Sequence, residues 1–193
     1  MSDRLPGAAI IETVTTTINP DGTVNCAAMG VEWGDDVIVI KPFPSTRTLR
    51  NLEATRAAVV NITDDILLFT QAALGDPHPP TRPTTRIDGA VLADACSWRE
   101  VTVEAIDVSG PRARVTTHVV GRGTGREFLG FNRARHAVLE ASILASRARM
   151  LPAAEILAEL ERLQVPVDKT AGPREREAME LVRRHVSAAV GDG

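Results

Sequence analysis

Ser45-Thr46-Arg47-Thr48-Leu49-Arg50-Asn51 puts three hydroxyls, two guanidiniums and an amide into seven positions. Ahead of it, Val37-Ile38-Val39-Ile40 reads as a strand leaving the core, ended by Lys41-Pro42-Phe43-Pro44. A helix then begins, with Ser45, Thr46 or Thr48 as its N-cap. Hydroxyls, first-turn amides and a guanidinium at one strand-to-helix corner are the groups that hold a phosphate, and the helix dipole favours the negative charge. Asn51, one turn or less beyond Thr48, can turn back toward the same ligand. The same residues also describe an ordinary capped helix with Arg47 and Arg50 in water, and spacing alone leaves both readings open.

A second stretch, Asn25-Cys26-Ala27-Ala28-Met29-Gly30, carries small side chains in mid-strand. Such a strand gives a flat ligand, or another protein segment, room to lie against the backbone. Asn132, Arg133 and His136 open a helix; His136 can pair with Glu140, and an imidazole there could exchange a proton near neutral pH. Gly121-Arg122-Gly123-Thr124-Gly125 superficially invites a dinucleotide reading. Its third glycine falls one position early and no βαβ unit surrounds it, so a mobile loop is expected. His78, in a proline-rich stretch, reads as exposed loop.

The elements that must position these groups follow a pattern of short strands and tight turns. Ile10–Ile18 is a strand, Asn19-Pro20-Asp21-Gly22 a turn, and Thr23–Val31 the returning strand. After the Ser45 corner come the strand Ala57–Ile62 and a short helix, Ile66–Ala73, capped by Thr63-Asp64-Asp65. Gly75–Arg86 contains four prolines and reads as a surface loop. Trp98–Val108 and Ala113–Val120 are two further strands. This spacing favours a small barrel over a layered sheet. From Asn132 the period changes to that of helices: one over Arg133–Met150, others starting at Pro152 and Pro173. The boundary is expected between Gly125 and Gly130, giving a barrel over 1–125 and a helical subdomain over 126–193. Val190 to Gly193 should fray.

Composition limits the function classes. With 193 residues, 44% of them apolar, the chain can bury a real core. A formal charge of −3, no Tyr, four Phe and two Trp argue against nucleic acid as a partner. Cys26 and Cys96 lie far apart without a metal-ligand spacing, so no metal is expected. No signal pattern or membrane-length apolar run is visible, and a cytoplasmic setting without a membrane partner is expected.

Taken together, Ile11-Glu12-Thr13-Val14-Thr15-Thr16, the Asn19–Gly22 turn, Asn25–Gly30 and Thr46–Leu52 resemble the flavin reductase-like FMN-binding split β-barrels. Val60-Asn61-Ile62-Thr63-Asp64-Asp65 and Gly130-Phe131-Asn132-Arg133-Ala134-Arg135-His136-Ala137-Val138 point to one branch, domain-of-unknown-function family 447. That resemblance covers nearly the whole chain. It implies an α+β fold, an FMN-binding split β-barrel with a C-terminal helical appendage, working as a homodimer with FMN near the subunit interface. It further implies phosphate contacts from Thr46, Arg47 and Thr48 with Asn51 alongside, and a ring bed of Asn25, Ala27, Ala28 and Met29. Asn61 and Thr63 would reach the ribityl chain or the dimer partner. Apart from the resemblance, the small-residue Gly121–Gly130 stretch and the two apolar flanks of the helix behind it lead to the expectation that Asn132, Arg133 and His136 line the edge of the flavin pocket where substrate enters, with His136 as the catalytic proton carrier. The implied function is an FMN-dependent oxidoreductase acting on an unnamed small molecule, with a link to tetrahydromethanopterin one-carbon metabolism. A flavin- or pterin-binding module without turnover, and a biosynthetic enzyme acting on a phosphorylated pterin precursor, are the alternatives.

Overall fold

The computed structural model describes residues 4–191; the expected fraying at Asp192 and Gly193 lies outside the described residues. Six strands close a barrel: β1 (Ala9–Ile18), β2 (Val24–Trp33), β3 (Val37–Ile40), β4 (Ala57–Ile62), β7 (Ser97–Asp107) and β8 (Arg114–Thr124). Around the barrel they run β1-β2-β3-β8-β7-β4, and every pairing is antiparallel. The remaining strands, β5 (Thr81–Pro83) and β6 (Ala90–Leu92), form a two-stranded ribbon. The helices are α1 (Arg47–Thr55), α2 (Ile66–Leu74), α3 (Arg133–Ala145), α4 (Ala153–Thr170) and α5 (Pro173–Gly191).

These elements divide into two units. One consists of the described part of Met1–Thr63 together with His78–Glu127; the other is Asp64–Pro77 with Phe128–Gly193. Helix α2, which sequence order places within 1–125, therefore belongs with the C-terminal helices.

In the barrel unit, strand alternation sends Val31, Ile38, Ile40, Ala58, Val60, Val101, Val103 and Val115 to one buried cluster, closed by Leu49 and Leu52 of α1. Burying side chains of this size contributes about 1.5–3 kcal/mol each. The outward phase of β1, β4 and β7 is covered by the ribbon segment through polar pins. Thr16 donates its hydroxyl to Ala90 O at 2.6 Å, and Asn61 Oδ1 accepts from Leu92 N at 3.0 Å. Glu100, 1% exposed, accepts at both carboxylate oxygens from Thr85 N and from the Arg86 amide at 2.7 Å.

Two readings of the sequence need correcting here. The proline-rich Gly75–Arg86 stretch contains strand β5; Pro83 fits because the ribbon leaves an edge on which no amide is required. Gly121–Thr124 is not a mobile loop but the end of β8, paired with β7 as Glu100↔Gly121 and Trp98↔Gly123. The glycines there make room for the indole: a Cβ on Gly123 would lie 1.9 Å from Trp98 Cζ2. Arg82 covers the indole's other side, its guanidinium carbon 4.2 Å from the ring centroid.

In the helical unit, α3 buries Ala134, Ala137, Val138, Ala141, Ser142 and Ala145. Those small residues let α2 approach closely enough for Thr70 and Ser142 to hydrogen-bond at 2.9 Å. Helix α3 stops at Ala145 rather than Met150, and a run of turns follows. Arg135 bridges Asp64 (3.0 Å) and Glu175 (2.9 Å), and burial of all three is offset by that pairing.

Candidate functional site

Helix α1 is fixed at both ends. Thr46 is its N-cap: its Oγ accepts from Leu49 N at 3.4 Å and donates to Phe43 O at 2.8 Å, while Thr46 N also donates to Phe43 O. At the other end Arg56 takes the left-handed conformation, φ 55°, returning its amide to Leu52 O. The 3.6-residue period then sorts the side chains. Leu49 and Leu52 enter the barrel core, Thr48 and Asn51 face a buried polar layer, and Ser45, Arg47 and Arg50 face out. Arg50 steadies the corner through a hydrogen bond from its guanidinium to Ser45 O, 2.9 Å. No acidic residue occupies the first turn of α1.

The polar layer is a connected network. Thr17 Oγ accepts from Asn25 Nδ2 (3.1 Å) and from Asn51 Nδ2 (3.0 Å). Asn25 gives its other amide hydrogen to Thr48 Oγ (3.1 Å), and Asn51 gives its other to Asn19 Oδ1 (2.8 Å). Thr17, Asn25, Thr48 and Asn51 are each at most 6% exposed, so this pairing removes a desolvation cost that unmatched amides would carry. The network links β1, β2, α1 and the β1–β2 turn. In that turn Asp21 accepts from the Thr23 hydroxyl and amide; these bonds chiefly, and the nearby Arg47 charge to a lesser degree, hold its carboxyl below the usual value.

On β2, register separates the proposed ring bed into two faces. Asn25, Ala27 and Met29 stand opposite Thr17, Thr15 and Thr13 on the inward phase, whereas Ala28 stands opposite Val14 on the outward one. Met29 packs against the barrel core. Ala28 and Gly30 are the half-exposed members of the outward phase. One flat ring therefore meets part of this set on its side chains and the rest only through the backbone.

The other expected site residues fall elsewhere. Asn61 is fully buried, and its amide nitrogen contacts Val14 O (3.0 Å) and the Thr16 hydroxyl (3.3 Å) while its oxygen holds Leu92 N. It pins the ribbon to the barrel and has no surface to offer a ligand. Thr63, half-buried, ends the first stretch of the barrel unit. Asn132, Arg133 and His136 belong to the helical unit. Asn132 caps α3, accepting from Arg135 N (3.0 Å) and donating to Thr170 O (3.2 Å), so it is committed to holding α3 on the end of α4. Arg133 is exposed. His136 is also exposed and meets Phe131 edge-on, with ring centroids 5.7 Å apart.

Thr17 and Asn19 are the members of the network that reading the sequence missed. Their signal was present: a polar residue on the inward phase of a strand must find a partner. Among the described residues no three-residue group of His, Cys, Asp or Glu could hold a metal, and no helix is long and apolar enough to cross a membrane.

A closed six-stranded antiparallel barrel, with a short helix across one end presenting a hydroxyl–guanidinium corner, and a separate helical unit, define the class of this protein. Two family models match it: protein of unknown function (DUF447) N-terminal domain over residues 11–126, and protein of unknown function (DUF447) over residues 132–184. The chain belongs to the DUF447 family. An FMN-bound protein of that family from Methanosarcina mazei shares the fold over 92% of this chain and 95% of its own, at 20% identity and a TM-score of 0.81. Two further structures are similar over part of the chain. Nitrilotriacetate monooxygenase component B from Bacillus cereus shows 15% identity over 61% of this chain and 72% of its own, with a TM-score of 0.51. An FMN-binding protein from Thermus thermophilus with bound 1-cyclohex-2-enone shows 14% identity over 64% and 78%, with a TM-score of 0.50.

Proposed function

We propose that this protein binds FMN, with the cofactor phosphate at the α1 corner, and acts as an oxidoreductase on a small molecule. The observation that carries the reading is that Ser45 and Arg47 face outward on either side of the Thr46 cap, at a helix start whose first turn holds no carboxylate. Its chemistry fits a phosphate dianion, and the FMN-bound relative with the same fold over 92% of this chain makes FMN the phosphate ester of choice. In this reading Thr46 and Arg47 contact the phosphate, while Thr48, Asn51 and Asn25 hold the corner from behind. Ala28 offers the shallow surface for the ring, beside Gly30, over which the Ile10 and Glu12 side chains lie. Independently of that corner, the exposed imidazole of His136 is proposed as a proton carrier.

When bound, the flavin supplies the electron transfer, and the chain supplies the anion site and orientation. A charge-assisted contact of this kind contributes about 1.5–3 kcal/mol, so Arg47→Ala should weaken FMN roughly ten- to a hundredfold. Riboflavin, lacking the phosphate, should change far less. Superimposable FMN titrations of wild type and variant would place the phosphate elsewhere. A purified protein carrying a phosphorylated pterin in place of a flavin would overturn the cofactor itself. Oxidoreductase function is tested by reducing the loaded protein and following reoxidation by candidate acceptors; rates equal to those of free FMN would argue for a binding module. His136→Gln should leave FMN affinity within about twofold and slow only transfer to the true acceptor.

A further inference from the structure

Resting on the FMN reading, we infer that Thr17, a residue with no surface of its own, positions the phosphate corner and thereby sets the protein's preference for FMN over riboflavin. Thr17 is 2% exposed and is the node at which the two asparagine amides meet, at 3.1 and 3.0 Å. One of those amides continues to Thr48 in the first turn of α1; the other, Asn51, is one turn further along the same helix and reaches on to Asn19 in the β1–β2 turn. The azimuth of α1 about its own axis is therefore fixed by three hydrogen bonds, Asn25 to Thr48, Asn51 to Thr17 and Asn51 to Asn19, of which Thr17 Oγ accepts one directly and, by holding Asn25, steadies a second. Apolar contacts alone do not fix it: Leu49 and Leu52 are non-directional anchors and tolerate small rotations.

Rotation of α1 matters only to a ligand that reads the helix end. Turning the first turn by a few degrees moves the Arg47 side chain and the first-turn amides together, and directed hydrogen bonds weaken steeply with misalignment. A flavin ring resting on β2 is indifferent to that motion. Thr17 is thus a positioning residue for the phosphate, and the dimethylbenzene–pyrimidine ring system is outside its influence.

The test compares FMN and riboflavin affinities, by fluorescence quenching, for wild type, Thr17→Val and Thr17→Ser. Valine keeps the shape and removes the acceptor; serine restores it. Thr17→Val is expected to weaken FMN about tenfold while riboflavin changes less than about twofold, with Thr17→Ser recovering most of the loss. Equal weakening of both ligands, or no weakening of either, overturns the inference. Should Thr17→Val fail to fold, Asn19→Ala cuts the outer limb of the same network at a half-buried position and must show the same split, smaller in size. Wild type that binds neither ligand would instead refute the FMN reading itself.

Discussion

The Asp21 carboxylate of the β1–β2 turn feels the charge of Arg47, and that makes a prediction of definite sign. The carboxylate lies within electrostatic range of Arg47, so an incoming phosphate dianion meets its repulsion and competes with it for the guanidinium. Asp21→Asn should therefore raise FMN affinity roughly two- to fivefold at low salt, and the gain should shrink as salt is added. Riboflavin should not respond. A loss of FMN affinity would mean that Asp21 orients Arg47 for the ligand rather than opposing it. At this scale the sequence offers candidates, because residue types announce their chemistry. Hydroxyls and a guanidinium at 45–48 pointed to an anion corner. Orientation was not legible: Thr46, Thr48 and Asn51 are all plausible donors, and only packing shows that Thr48 and Asn51 turn inward to Asn25 and Thr17. Asn61 misled for the same reason, since an amide after a buried strand looks alike whether it meets a ligand or a backbone.

Strands and their pins carry two further predictions. The face of β8 against Trp98 has no room for a side chain, so Gly123→Ala should cost about 1–3 kcal/mol or more, read as a fall in Tm. Gly110→Ala, whose added Cβ meets nothing nearer than 3.5 Å, should stay within about 0.5 kcal/mol and serves as the control. Glu100 makes the ribbon's attachment pH-sensitive. Burial opposes its ionisation, yet the Arg86 and Thr85 amides and the Thr85 hydroxyl outweigh that and hold its carboxyl below the usual value. With the folded pKa depressed, its contribution is fully present above the unfolded value of 4.5 and is lost as pH falls through the lower folded value. Glu100→Gln should be less stable than wild type in urea melts at pH 7, and the gap should close as pH falls below 4.5. A gap that is constant with pH would mean that the charge is irrelevant. Strand existence was readable from β-branched runs, but Gly121–Gly125 read as a loop because glycine is neutral in the sequence pattern. What makes it strand is Trp98, a partner more than twenty positions away.

At the scale of the whole chain, the change of period near Asn132 was visible, whereas the membership of α2 was not. Ile66, Leu67, Phe69, Thr70 and Ala72 are all buried, so this helix is covered on several sides, and order along the chain cannot say by which unit. The helices that cover it begin 59 residues or more after its end. The resemblance to a family named the cofactor class; the one-carbon link has no residue in the structure that selects it. The same scale carries the proposal of a homodimer. Phe128, Leu129 and Phe131 are 48%, 70% and 91% exposed, three large apolar side chains in four positions, and Gly130 between them takes a positive φ of 87° that displays the last one. A monomer in water gains nothing from such a segment, whereas a two-fold interface would bury it, and stable interfaces remove about 800 Å² from each partner. Light scattering at micromolar concentration and physiological salt should give twice 20.7 kDa. Phe131→Asp then discriminates between surfaces. If it yields monomer with an unchanged circular dichroism spectrum, this segment is part of the interface; if the dimer persists, the contact is formed by the barrel, as the family resemblance implies. A wild-type mass of a single chain under those conditions would remove the homodimer altogether.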